Sequence, residues 1–94
     1  MGPFKIILTA HAIADLERVP EAERARLHVD IRDLQTSPFP QGTRIKRLKG
    51  YRPPLYRLRS GEYRVLYRVR GNSITVLRVI DRKILERVIR RLRL

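Results

Sequence analysis

Apolar and polar residues alternate one by one through Leu55-Tyr56-Arg57-Leu58-Arg59 and again from Tyr63 to Arg70. A third apolar run, Ile74-Thr75-Val76-Leu77-Arg78-Val79-Ile80, follows. A period of two, rich in β-branched and aromatic residues, predicts strands. Ser60-Gly61 and Gly71-Asn72 separate the runs and predict two-residue hairpin loops. Residues 54–80 therefore read as an antiparallel meander. With those loops, Arg59 faces Glu62, Arg57 faces Arg64, Arg68 faces Thr75 and Arg64 faces Val79. One sheet face then carries Arg57, Arg59, Arg64, Arg68 and Arg70. The other carries Tyr56, Leu58, Tyr63, Val65, Tyr67, Val69, Ile74 and Val76, and is the core face.

The rest of the chain supplies what covers that face. Phe4-Lys5-Ile6-Ile7-Leu8 reads as a first strand, and Thr9 as the N-cap of a helix over 10–18 with Ile13 and Leu16 inward. Pro20 suits the first turn of a second helix, over 20–36, where Glu21 and Glu23 favour the N-terminal dipole. Leu27, Ile31 and Leu34, at i, i+4 and i+7, form its buried stripe. Pro38 and Pro40 end it. Residues 37–53 read as a basic, loop-like connection. Asp81 caps a C-terminal helix whose apolar stripe is Leu85, Val88, Ile89 and Leu92. The class is α+β: an N-terminal strand, a helical hairpin packed on an antiparallel meander, and a C-terminal helix. The 94 residues make one domain, 1–94.

Charge changes what the arginine face means. The net charge is +13, and it is not spread evenly. Residues 1–36 hold five Lys/Arg against six Asp/Glu and carry −1, whereas residues 37–94 hold seventeen against three and carry +14. Such asymmetry predicts a polyanion-binding surface on the second part, for nucleic acid first and an acidic protein second. A membrane surface fits less well, because the charges follow a sheet pattern and not one amphipathic helix. The alternative reading of the same arginines is a solvated sheet face. Facing like charges are destabilising, and a bound anion relieves them. The connection adds Arg44, Lys46, Arg47 and Lys49, either as a solvated loop or as an arm on a phosphate backbone.

Catalytic motifs are sparse. The sequence has no phosphate-binding glycine loop, no zinc-ligand spacing and no nucleophile elbow. It has no cysteine, which fits a reducing compartment. His11 and His28 fall on the helices of the near-neutral part and read as surface residues. Glu62 reads as the partner of Arg59 across the turn. No metal or cofactor is called for.

The block KRLKGYRPPLYRLRSGEYRVLYRV, followed by VLRVIDRK, resembles the RelE/ParE superfamily of type II toxin–antitoxin toxins. The resemblance runs through nearly the whole chain. Its most specific part is L-Y-R-L-R-x-G-x-Y-R-V-x-Y, over residues 55–67. It implies a β-α-α-β-β-β core and, for the RelE branch, an endoribonuclease that cuts mRNA on the ribosome in the cytoplasm and inhibits translation. It also implies a cognate antitoxin bound in a hetero-oligomer. By matching positions it gives Arg57, Arg64 and Arg82 active-site roles; the basic connection and the arginine face read above add Arg44, Lys46, Arg47, Lys49, Arg59 and Arg68 as expected RNA contacts. Two places depart from the pattern. Ile80-Asp81 stands where many members have Gly-His or Gly-Lys, and Glu86 stands in the place of a Tyr. That leaves Asp81, Glu86 or a ribosomal group to move a proton, and of the two carboxylates Glu86 is the one expected to do so. The ParE branch, which poisons DNA gyrase, is the alternative, and a non-catalytic RNA- or antitoxin-binding module is another.

Overall fold

The computed structural model describes residues 3–92. In chain order the elements are β1 (Lys5–Leu8), α1 (Ala10–Arg18), α2 (Glu21–Asp33), β2 (Ile45–Leu48), β3 (Leu55–Ser60), β4 (Tyr63–Arg70), β5 (Ser73–Asp81), a 3₁₀ turn (Arg82–Ile84) and α3 (Leu85–Leu92). The sheet order is β1-β5-β4-β3-β2. Only β1 runs parallel to its neighbour, β5. The helical hairpin supplies the crossover that a parallel pair requires.

The expected core face is the real one. Leu58, Val65, Tyr67, Ile74, Val76 and Val79 pack against Ala12, Leu16, Leu27, Ile31 and Leu34. The Thr9 side chain accepts from the Ala12 amide and caps α1 as expected. Ile13 corrects the reading of that helix, because it lies 46% exposed while Ala12 and Leu16 turn inward. Helix α2 is shorter than expected, with Pro20 at its cap position.

Three further corrections concern the sheet. First, residues 45–48 are not loop. They form edge strand β2 on β3, with Ile45 opposite Leu58 and Lys46 opposite Arg57. Second, the first hairpin turns at Gly61-Glu62, so Ser60 pairs with Tyr63, Arg59 with Arg64 and Arg57 with Leu66. Gly61 has φ +57°, and a tight hairpin wants that left-handed residue at the first central position. The shift is two residues, a full pleat period, so every side chain keeps its face. Third, the β4–β5 ladder slips by one between Leu66 and Tyr67, which places Ile80, not Val79, opposite Arg64.

The arginine face also carries a core of its own. Leu55, Leu66 and Ile80 are buried with Tyr51 and Val88, and Leu48, Leu77, Leu85 and Ile89 pack around them. These residues form a diagonal apolar band, and α3 lies over it. Fully burying a side chain such as Leu66 is worth about 1.5–3 kcal/mol, so the band is ample reason for the helix to dock. The Tyr51 hydroxyl adds a hydrogen bond to the Ile89 carbonyl at 3.1 Å.

A candidate polyanion interface beside the C-terminal helix

Lys46, Arg57, Arg59 and Arg64 share one side of the apolar band, at the Gly61 end of the sheet. Their placement follows from the ladders: Lys46 opposite Arg57 on β2 and β3, and Arg59 opposite Arg64 on β3 and β4. These are two like-charge cross-strand pairs side by side, where one was expected. None of the ion pairs among the described residues involves these four.

Neutral oxygens orient the guanidinium groups. Arg57 Nη2 donates to the Thr43 carbonyl at 3.1 Å, and Arg59 Nη2 to Thr43 Oγ1 at 3.4 Å. Arg64 Nη1 donates to the carbonyls of Gly61 and Tyr63, both at 2.9 Å. Carbonyls and hydroxyls fix direction without cancelling charge. Burial, then repulsion from Arg64 and Arg59, lowers the pKa of Arg57. Burial, then Arg59 and Arg82, lowers that of Arg64, against the pull of Glu62 and Asp81. Arginine stays charged under any such shift at neutral pH. Burial is the larger cause of both shifts, and repulsion among the neighbouring arginines adds to it.

The remaining expected residues divide. Arg82 reaches the same end of the sheet, but Glu62 Oε1 takes its Nε at 3.1 Å. Glu62 thus pairs with Arg82 and not, as expected, with Arg59. Asp81 accepts from the Lys83 amide at 2.8 Å and caps the 3₁₀ turn. Glu86 stands exposed in the first turn of α3. Arg44 turns to α2, to Asp30 at 3.6 Å and Asp33 at 3.4 Å, and its charge is locally balanced. Arg47 lies opposite Tyr56, on the helical-hairpin side of edge strand β2, and Lys49 follows that strand; both are exposed. Arg68 and Arg70 sit beyond the apolar band, and Arg68 Nε is buried without a hydrogen-bond partner. The face is therefore two basic patches divided by α3, and Arg57, Arg59, Arg64 and Lys46 make the denser one.

Sequence reasoning missed Thr43, which receives both β3 arginines. It also missed the pair Asp15–Arg78, which spans α1 and β5. The described residues hold no group of three or more His, Cys, Asp or Glu fit for a metal, and no helix among them is long and apolar enough to cross a membrane. A basic surface of this kind offers an anion positive charge and charge-assisted hydrogen-bond donors.

Fold and surface together define a RelE-like α+β domain with an arginine-studded sheet. Its relatives make the assignment specific. The family model for the ParE toxin of type II toxin–antitoxin systems matches residues 6–86. Toxin RelE3 of Methanocaldococcus jannaschii is 35% identical over 82 residues, covering 85% of this chain and 92% of the relative. The RelB–RelE antitoxin–toxin complex from Methanococcus jannaschii holds a chain 31% identical, with TM-score 0.71 over 87% of this chain and 96% of that one. The toxin–antitoxin complex RelBE2 from Mycobacterium tuberculosis holds one 28% identical, with TM-score 0.74 over 85% and 99%. The chain belongs to the ParE toxin family of type II toxin–antitoxin systems, and it is RelE-like in fold.

Proposed function

We propose that this toxin is an endoribonuclease that cuts mRNA on the ribosome and so inhibits translation in the cytoplasm. The observation that carries the reading is the cluster of Arg57, Arg59 and Arg64, held in direction by neutral oxygens and free of carboxylate partners among the described residues. In the reaction a ribose 2′-oxygen attacks its own 3′ phosphorus. A 2′,3′-cyclic phosphate forms as the bond to the 5′ oxygen breaks, and that oxygen takes a proton from water and leaves as a hydroxyl. Arg57 and Arg64 hold the non-bridging oxygens and stabilise the added charge of the pentacoordinate state. Arg59 and Lys46 hold the neighbouring phosphate. Arg82, steadied by Glu62, acts on the leaving side. Glu86, exposed in the first turn of α3, takes the 2′-OH proton. No cofactor is needed.

The named relative is a RelE toxin, and the solved relatives are toxin–antitoxin complexes, which supports an antitoxin as the resting partner. Its contact surface is expected to be acidic and apolar, with affinity that falls as salt rises. A second reading has its own support. The matching family model is that of the ParE toxin, and resemblance to that branch implies DNA gyrase as the target instead.

The test is single-turnover cleavage of a defined mRNA, with and without programmed ribosomes, alongside gyrase supercoiling. Cleavage only with ribosomes, lost in Arg64→Ala, is the expected result. Gyrase inhibition without RNA cleavage would replace this reading with the second.

A further inference from the structure

Strand β5 contains one residue more than its partner needs. Tyr67 pairs with Val76 and Leu66 with Arg78, so Leu77 is the extra residue of a β-bulge. Its effect reaches past the bulge. Ile74, Val76 and Val79 face the helical hairpin, while Leu77 and Ile80 face α3. A regular ladder would invert every residue from Arg78 onward. Val79 would then oppose Arg64, Ile80 would leave the apolar band, and Arg82 would depart toward the other face.

One carboxylate grips this point. Asp15 of α1 takes Arg78 Nε at 2.7 Å on Oδ2 and Nη2 at 3.0 Å on Oδ1. The same Oδ2 accepts from the Val79 amide at 2.9 Å. Its side chain is only 9% exposed. The grip falls where β1 has ended, since Leu8 pairs with Val76 and nothing of β1 lies beside Arg78 or Val79. Thr9 completes it, with Oγ1 donating to the Leu77 carbonyl at 3.0 Å. A bidentate arginine pair is directional as well as strong. The Val79 amide reaches Asp15 in this way only with Leu77 bulged out. In the regular register Val79 would sit one position along, with its side chain on the arginine face and its amide turned toward β4.

We propose that Asp15 is a positioning residue: it locks the bulge at Leu77 and thereby fixes Arg82, and the start of α3, on the arginine face. The catalytic part of this inference rests on the nuclease reading above; the register part does not. Asp15 touches no RNA. It acts through Arg82.

The experiment is a double-mutant cycle on programmed ribosomes with Asp15→Ala, Arg82→Ala and the pair, below the melting transition of each. Asp15→Ala is expected to lower the single-turnover rate about tenfold to a hundredfold, the usual cost of a small misplacement. RNA affinity should stay within about twofold, since Arg57, Arg59 and Arg64 remain in place. The double variant should be no slower than Arg82→Ala alone, because both act on one step. Amide exchange at Ile80 and Arg82 should quicken in Asp15→Ala while Leu27 and Ile31 keep their protection. Losses that add, or an unchanged rate per folded molecule, would overturn the proposal. So would exchange that quickens equally in α2, which is plain destabilisation. If Asp15→Ala does not fold, Asp15→Asn serves with the same readouts, because its Oδ keeps the Val79 bond. If the wild type cuts no RNA, the nuclease reading fails on its own. The exchange pattern then decides the register lock by itself.

Discussion

Replacing Arg59 with Gln should stabilise the free protein. Arg59 and Arg64 are directly opposed across β3 and β4, and Arg57 sits two residues away on the same face. Directly opposed residues have Cβ atoms about 4.5–5.5 Å apart, and the long side chains spread their charges to roughly 7 Å. Two unit charges at about 7 Å in water repel by roughly 0.6 kcal/mol. Arg59 contributes to lowering the pKa of both Arg57 and Arg64, so the repulsion acts on two neighbours. Against this stands one exposed hydrogen bond to Thr43 Oγ1 at 3.4 Å, long enough to count for little. The net gain is about 0.5–1 kcal/mol, or about 2–8 °C in Tm for a chain of this size. It should be fullest at ~0.01 M salt, where the Debye length is ~30 Å, and vanish near 1 M, where it is ~3 Å. The same substitution should weaken RNA binding and flatten its dependence on log salt by about one unit, the signature of one lost phosphate contact. Thermal melts and filter binding across that salt series test both parts. A loss of stability at low salt, or a gain indifferent to salt, would show that the cluster is not under repulsion.

Other substitutions test other links. Glu86→Gln should slow cleavage on programmed ribosomes while leaving RNA affinity unchanged; an unaltered rate, with a large loss for Arg82→Ala, would assign proton transfer to the ribosome. Asp30→Ala removes a buried carboxylate that accepts from Ser60 Oγ at 2.6 Å and pairs with Arg26 and Arg44, so it should cost about 2–4 kcal/mol in urea unfolding. Tyr67→Phe breaks only the 2.8 Å bond to the Pro38 carbonyl and should cost about 1 kcal/mol, whereas Val65→Asp should prevent folding altogether, because it buries an unpaired charge.

The faces of the meander were legible because period-2 alternation survives an error in the turn. Placing the loop at Ser60-Gly61 or at Gly61-Glu62 changes which arginine faces Arg64, yet neither choice moves an arginine to the core. Strand β2 was hidden by composition. Ile45 and Leu48 are its apolar residues, one for each face, set among Arg44, Lys46, Arg47 and Lys49, and an edge strand needs no more. The second core was hidden by the arginines themselves. Leu55, Leu66 and Ile80 fall on the charged face singly, one per strand, and only the sheet order aligns them into a band for α3. The bulge did leave a trace. Apolar residues at 74, 76 and 79 break the alternation by one step, and Leu77 and Ile80 follow the opposite face.

That broken step bears on how this surface came to be sided. A continuous strand would divide β5 evenly between the faces and send the chain beyond it to the helical-hairpin side. The inserted Leu77 turns the strand over, so that Arg82 and α3 emerge on the arginine face. Helix α3 then does two things at once. It covers Leu55, Leu66 and Ile80, which water would otherwise reach, and it divides the arginines into a dense patch and a sparse one. Charge on the dense patch is left unbalanced by carboxylates because those nearest are already engaged. Glu62 holds Arg82, Asp81 caps a turn, and Asp30 and Asp33 hold Arg44. These four carboxylates are thus engaged in the framework, and the charge of Lys46, Arg57, Arg59 and Arg64 is left without an ion-pair partner among the described residues.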